Sequence, residues 1–315
     1  MIYHQLGKTG FQVSKICFGS LTIGPLQANL NIHQGAQVIK TALDLEINFI
    51  DTAELYQNYA YIKEALRGHP KDAIIATKSY AYSKELMARS LENARRELDR
   101  DRIDIFLLHE QESLLTLKGH WEAVEYLLAA KAKGIVGAVG ISTHRVEGVN
   151  ATTEVKEIEV IHPMLNMAGL GIQDGNVEDM LRALKQAKEA GKGIYGMKAI
   201  GGGNLMAQVE AALKWSFQLD CIDAVAIGMK SPEEVRINVA WSEGIEPAPE
   251  DLAKVTREPR KLLIEEYCTG CGRCLEKCAQ GALSFHEGKS TVNMEKCVLC
   301  GYCASVCPDF YIKVI

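Results

Sequence analysis

Eight of the ten cysteines in this 315-residue chain lie between positions 268 and 307, in two runs with one pattern. The first run is Cys268-x2-Cys271-x2-Cys274-x3-Cys278. The second is Cys297-x2-Cys300-x2-Cys303-x3-Cys307, followed by Pro308. Gaps of two residues let one loop wrap three thiolates around one face of a compact metal cluster, and duplication of the whole run argues against coincidence. A disulfide framework would need an oxidising compartment. The opening Met1-Ile-Tyr-His-Gln-Leu-Gly has neither the basic nor the apolar region of a secretory signal, so a cytoplasmic setting is expected. Zinc commonly takes two separated pairs of ligands, and two unbroken runs of four suit iron–sulfur cubanes better.

The spacing resembles that of bacterial-type ferredoxins. That resemblance implies two [4Fe–4S] clusters with crossed ligands, because the fourth cysteine of each run serves the other cluster. One set is Cys268, Cys271, Cys274 and Cys307; the other is Cys297, Cys300, Cys303 and Cys278. Ala279 stands where the first run would often carry proline, which leaves the ligands intact.

This tail sits on a much larger body. Residues 1–250 are long enough for a full-sized core, and 251–315 are too few to be secure without the clusters as staples. The proline-marked break Glu246-Pro-Ala-Pro-Glu-Asp251 sets the boundary, and the charged run from there to Glu266 predicts a linking helix. Hydrophobic residues make up 47% of the chain, and no apolar run reaches the length of a membrane span. The net charge of −5 argues against nucleic acid as the main partner. Cys17 and Cys221, in apolar surroundings, are expected to be small buried hydrophobes.

In the body, short β-branched runs alternate with amphipathic stretches. Strands are predicted at Ile16–Leu21, Phe49–Thr52, Ala73–Thr77, Ile103–Leu108, Val136–Ile141, Val160–Leu165, Gly193–Ala199 and Ala224–Ile227. Helices are predicted at Gln34–Leu45, Lys84–Leu98, Trp121–Ala132, Val177–Ala190, Met206–Phe217 and Pro232–Trp241. Eight strands alternating with helices over this length predict a (β/α)8 TIM barrel, followed by a small α+β ferredoxin-like domain. A doubly wound sheet would want a Gly-x-Gly-x-x-Gly turn after its first strand, and there is none. The turn Gly7-Lys-Thr-Gly10 predicts a hairpin over the barrel's bottom.

Chemistry in such barrels sits at the C-terminal ends of the strands. Asp51, Lys78 and His109 end the second, third and fourth strands, and Tyr56 lies in the loop after Asp51. Singly, each has an ordinary reading: a helix cap, a surface charge, a packed histidine, a rim aromatic. In order on successive strands they form a reaction site. An ammonium held by a carboxylate would lower the pKa of a phenol, and a histidine would fix a carbonyl oxygen beside it.

Residues 1 to about 241 resemble the aldo-keto reductases. The supporting runs include Gln5-Leu-Gly-Lys-Thr-Gly10, Phe49-Ile-Asp-Thr-Ala-Glu-Leu-Tyr56, Ala76-Thr-Lys78, Asp104-Ile-Phe-Leu-Leu-His109, Gly140-Ile-Ser-Thr143, Gly196-Met-Lys-Ala-Ile-Gly-Gly-Gly203 and Ser231-Pro-Glu-Glu-Val235. The whole chain is similar to the subgroup with a two-[4Fe–4S] tail. The resemblance implies a catalytic tetrad of Asp51, Tyr56, Lys78 and His109, and NADPH or NADH lying across the barrel mouth. Nicotinamide-side contacts would be Gly19, Ser20, Leu21, Ser142, Thr143, His162 and Met197, and Lys198 would be a further cofactor contact. Thr143 replaces the family's usual asparagine, His162 its common glutamine and Met197 its frequent stacking aromatic. Gly201, Gly202 and Gly203 would approach the pyrophosphate, or form a flexible loop. Gly228, Glu234 and Asn238 match adenosine-side positions, and Glu234 is unfavourable for a 2′-phosphate.

The leading expectation is a carbonyl oxidoreductase that reduces an aldehyde or ketone by hydride transfer from NAD(P)H, with Tyr56 as proton donor. Its clusters would transfer electrons or dock a ferredoxin or other electron-transfer protein. The alternative is an iron–sulfur electron carrier or redox-responsive protein whose barrel turns over little or not at all. A blander alternative is that the clusters only brace the tail against the barrel.

Overall fold

The computed structural model describes residues 1–257 and 260–315. A short antiparallel hairpin, β1 (Tyr3–Gln5) and β2 (Gln12–Ser14), comes first. Eight parallel strands then close a barrel: β3 (Ile16–Gly19), β4 (Phe49–Asp51), β5 (Ile74–Ser79), β6 (Ile103–Leu108), β7 (Val136–Thr143), β8 (Val160–Pro163), β9 (Gly193–Gly196) and β10 (Ala224–Gly228). Each predicted strand is present, and β10 closes onto β3.

The helices around it are α1 (Ile32–Asp44), α2 (Tyr59–Leu66), α3 (Lys84–Leu98), α4 (Leu114–Gly119), α5 (Trp121–Ala132), α6 (Val146–Glu154), α7 (Val177–Glu189), α8 (Val209–Phe217) and α9 (Pro232–Ser242). Their starts are written in the sequence as caps. Asn31 and Asn176 make reciprocal capping boxes, and Ser83 and Ser231 accept from backbone N–H groups of the first turn. The helices α2, α4 and α6 are additions to those the periodicity predicts. The last contains Gly148, Asn150, Thr152 and Thr153, residues of low helix propensity, and is held by packing of Val149 and Ala151.

Side chains alternate along each strand, so every second residue faces the barrel axis. The lower interior is apolar: Cys17, Phe49, Ala76, Ile105, Leu107, Ala138, Val160, Tyr195 and Ala224 pack together. Leu6 and Val13 of the hairpin join this cluster, so the hairpin plugs the bottom as expected. Counting up by twos from these residues gives Asp51, Lys78, His109, Ser142 and His162. The same alternation that buries an oily core therefore ends in a polar top layer.

After α9 the chain forms α10 (Pro249–Arg257), tied back to α9 by Arg236, which donates to both carboxylate oxygens of Asp251 at 2.8 and 2.7 Å. The linking helix was expected to run to Glu266. Its helical part ends at Arg257, residues 258 and 259 lie outside the described residues, and Leu262–Ile264 form a strand, β11. The apolar Leu262-Leu-Ile run pairs antiparallel with β14 (Ile312–Val314), which explains the early stop. Between them lie α11 (Arg273–Lys277) and the hairpin β12 (Leu283–His286) and β13 (Lys289–Val292). Among the described residues no helix is long and apolar enough to cross a membrane.

Candidate active site and the tail that covers it

Lys78 is the centre of the polar layer. Its Nζ donates to Asp51 Oδ1 (2.8 Å), Asp51 Oδ2 (2.7 Å) and the Thr52 carbonyl (2.8 Å), so all three ammonium donors are used. Asp51 accepts a further bond from the Tyr195 hydroxyl at 2.9 Å. Both charged side chains are almost fully buried, at 1% and 6% exposure. A buried pair without this many bonds would not recover its desolvation cost.

Tyr56 stands on a 3-10 turn, Glu54–Tyr56, that follows β4. The Lys78 ammonium lies 4.9 Å from its ring centre. The His109 ring meets it edge-on with centroids 6.1 Å apart. The four residues read from the strand ends are thus gathered at one rim. The expected lowering of the Tyr56 pKa is not found. Burial, then the charges of Asp51 and Glu110, raise it well above the usual phenol range. Tyr56 therefore keeps its proton at neutral pH. Burial first, then Lys78 and His162, push His109 far below the usual histidine range, so its ring is neutral. Its Nδ1 is buried without a hydrogen-bond partner. Such an orphaned atom is one a bound oxygen or hydroxyl would satisfy.

Several residues at this rim escaped sequence reasoning. Tyr195 lies one layer below Met197 on the same strand, and alternation would have found it. Tyr80, two residues beyond Lys78, stacks on His109 at 4.3 Å. The Nε2 atom of His144 is 3.2 Å from Lys198 Nζ. Lys198 has a left-handed backbone (φ 59°), and its ammonium sits 5.0 Å over the ring of Phe310 from the tail. Burial, then Lys313, lower its pKa to about 7.

Phe310 is 1% exposed although it belongs to the tail. Side chains added at Gly171 and Gly202 would meet its ring at 2.9 and 3.1 Å. Beside it, β14 runs against the 3-10 turn Gly201–Gly203, where Asn204 Nδ2 donates to the Ile312 carbonyl at 3.2 Å. The close approach these glycines permit is made by the protein's own C-terminal strand.

The other positions named for a nucleotide are also engaged. Ser20 donates to the Asp51 carbonyl at 2.8 Å. Ser142 Oγ accepts from Glu110 N at 2.9 Å, and Thr143 Oγ1 accepts from Arg145 N at 3.0 Å. His162 is bonded to the Tyr195 carbonyl at 2.7 Å and stacks on that ring. Gly19 lies against the Ile227 carbonyl, and Gly228 against Thr22. Leu21 is in the 3-10 turn after β3, Met197 bridges to Met164, and Asn238 is buried in α9. Glu234 Oε2 accepts from Lys230 N at 2.7 Å.

Each run's fourth cysteine lies near thiols of the other run. Cys278, from the first run, lines one surface pocket together with Cys297, Cys300 and Cys303. Cys271 is near enough to Cys307 to raise its pKa, a smaller effect than burial. Among the described residues no three His, Cys, Asp or Glu side chains converge as a single metal ion requires. An all-thiolate donor set suits iron and sulfide. Burial opposes ionisation of Cys268, but hydrogen bonds from Ser290 and Gly270 outweigh it and lower its pKa.

A closed parallel barrel with this polar top layer, joined to an eight-cysteine tail, has the layout of a barrel oxidoreductase with an iron–sulfur domain. Residues 15–211 match the model of the aldo/keto reductase family, and residues 267–310 match that of the 4Fe-4S dicluster domain. The chain belongs to the aldo/keto reductase family. It is 25% identical over 183 residues to aldo-keto reductase YhdN of Bacillus subtilis (strain 168), covering 53% of this chain and 54% of that one. The chain thus spans about half the length of that relative. It is 23% identical over 277 residues to L-galactose dehydrogenase of Arabidopsis thaliana, covering 75% and 86%. The tail is 35% identical over 54 residues to one component of the ion-translocating oxidoreductase complex of Methanosarcina acetivorans, covering 17% and 20%. In fold, the chain is similar to the aldo-keto reductase AKR11C1 of Bacillus halodurans in its holo form. The TM-score is 0.66 at 21% identity, covering 82% and 96%.

The family typically uses NADPH or NADH. In the arrangement described here, the residues named for that nucleotide are bonded or packed within the protein. The thiols form an all-sulfur donor set of the kind the matched dicluster domain carries.

Proposed function

We propose that this chain reduces a small aldehyde or ketone at the barrel mouth, with Tyr56 supplying the proton to the carbonyl oxygen. The observation that carries this reading is the grip of Asp51 on Lys78, which holds the ammonium beside the Tyr56 ring with neutral His109 opposite. His109 would orient the carbonyl oxygen. Tyr56, kept protonated by its surroundings, would transfer its proton as negative charge develops on that oxygen. Lys78 would then stabilise the phenolate left behind. NADPH or NADH is the electron donor that family membership suggests, but the protein's own groups do the proton chemistry whichever donor acts.

The eight thiols would hold two [4Fe–4S] clusters, which handle electrons one at a time. Val298 and Tyr302, on the pocket lined by Cys278, Cys297, Cys300 and Cys303, are 62% and 63% exposed. That apolar, accessible edge supports a ferredoxin or similar protein as electron-transfer partner. The docking of β14 on Gly201–Gly203 favours a second reading, an electron carrier or redox-responsive protein whose barrel turns over slowly.

The test is Tyr56→Phe in anaerobic, iron-loaded protein, assayed on a panel of small carbonyls with NADPH, NADH and a reduced viologen dye. Alcohol formation should fall by about 10²–10⁴-fold with whichever donor supports it. Undiminished turnover in the variant would remove Tyr56 from the reaction, and no turnover with any donor in the unmodified protein would favour the carrier.

A further inference from the structure

We infer that the docked tail and a nicotinamide nucleotide compete for one stretch of the barrel mouth, and that the arrangement described here excludes the nucleotide. Three independent stretches carry this.

The first is the pyrophosphate cradle. Glycines serve such a cradle because they leave backbone bare for close approach. Here the bare faces are filled. A side chain at Gly203 would lie 1.8 Å from the Val314 carbonyl oxygen, and one at Gly202 would meet Phe310 and Lys313 at 3.1 and 3.2 Å. Phe310 reaches across to Gly171 in the loop after β8, so it spans the gap between two rim loops.

The second is the nicotinamide end. Binding a carboxamide takes unspent donors and acceptors. Ser142 accepts from Glu110 N, Thr143 accepts from Arg145 N and His162 Nδ1 is bonded to the Tyr195 carbonyl, so each already spends one group within the barrel. Among the described residues, the buried side-chain polar atoms without partners are His109 Nδ1, Gln111 Oε1, Arg145 Nε and Asn204 Oδ1. None belongs to the group expected to hold the nucleotide.

The third is the adenosine end at the start of α9. A helix N-terminus there would attract a phosphate. Its first turn already carries Glu233 and Glu234, and Ser231 caps it. Arg236, the nearby cation, is clasped by Asp251, and Arg260 from the linker lies 4.0 Å from Glu234. Linker and tail thus lie along the pyrophosphate and adenosine parts of the nucleotide's expected path.

The inference goes beyond the proposed carbonyl chemistry and uses none of Asp51, Tyr56, Lys78 or His109. It is tested by titrating the anaerobic, iron-loaded full chain with NADH and NADPH, following nicotinamide fluorescence and hydrogen exchange of residues 310–314 together. The expected result is no saturable binding up to about 1 mM, the upper end of ordinary KM values, or binding accompanied by loss of amide protection in β14. Phe310→Ala keeps all eight cysteines and loosens the strand, so its apparent affinity should be at least about tenfold tighter, because more molecules are competent to bind. Saturable binding with β14 still protected overturns the inference, as does an equal, measurable affinity in both proteins. Failure of Tyr56 as proton donor would appear in turnover alone and would leave this titration unchanged.

Discussion

A methyl group placed on Gly203 would sit 1.8 Å from the carbonyl oxygen of Val314, nearer than any real contact allows. Gly203 also has a left-handed backbone, φ 84°. Gly203→Ala should therefore cost more than about 1 kcal/mol from the backbone alone and also lift β14 from the barrel. The check is thermal unfolding together with limited proteolysis. A variant as stable as the parent, with its tail as resistant, would show that the contact is not needed.

Lys78→Met should destabilise the fold by about 3–5 kcal/mol, because it leaves Asp51 buried with its main counter-charge gone. Adding Asp51→Asn to it should restore part of that loss. Chemical denaturation of the two single variants and the pair measures the coupling. Simple additivity would mean that the pair does not act as one unit.

Reconstituted protein should hold eight irons per chain, four for each crossed set of thiols. Cys278→Ser should damage the cluster held mainly by Cys297, Cys300 and Cys303, whose shared pocket it lines. Iron analysis and electron paramagnetic resonance of the reduced variant distinguish the two clusters. Loss confined to the cluster of Cys268, Cys271 and Cys274 would refute the crossed assignment.

The barrel and its polar rim were legible in the sequence because both depend on short-range periodicity. Asp51, Lys78 and His109 continue the inward rows begun by Phe49, Ala76 and Ile105, so strand prediction alone placed them together. Phe310 offered no such signal. Its contacts with Gly171, Lys198 and Gly202 join distant segments through shape alone, and no local pattern marks them. The triple glycine stands out for the right physical reason, backbone left bare for close approach, but what fills that space is β14. Tyr56 shows the same limit: its lysine neighbour is legible, while the burial that outweighs it in setting the pKa is not.

Lys198 should give the fold a pH dependence above neutrality. Its pKa is about 7 when folded against 10.5 as the ordinary value. Between those values the unfolded chain binds more protons than the folded one, so stability from this group rises with pH above about 7 and is flat below. Denaturation of the parent and of Lys198→Met between about pH 6 and pH 9 isolates the effect. The parent should gain on the variant as pH increases, and parallel curves would remove Lys198 as the source.

Tyr311 donates its backbone N–H to the Cys307 sulfur at 3.3 Å, and Phe310 donates its own to the Cys307 carbonyl at 3.2 Å. The residue that stops the barrel mouth is thus held by a turn built on a thiol expected to bind iron. Whatever Cys307 binds therefore sits three residues from the ring that closes the rim between Gly171 and Gly202.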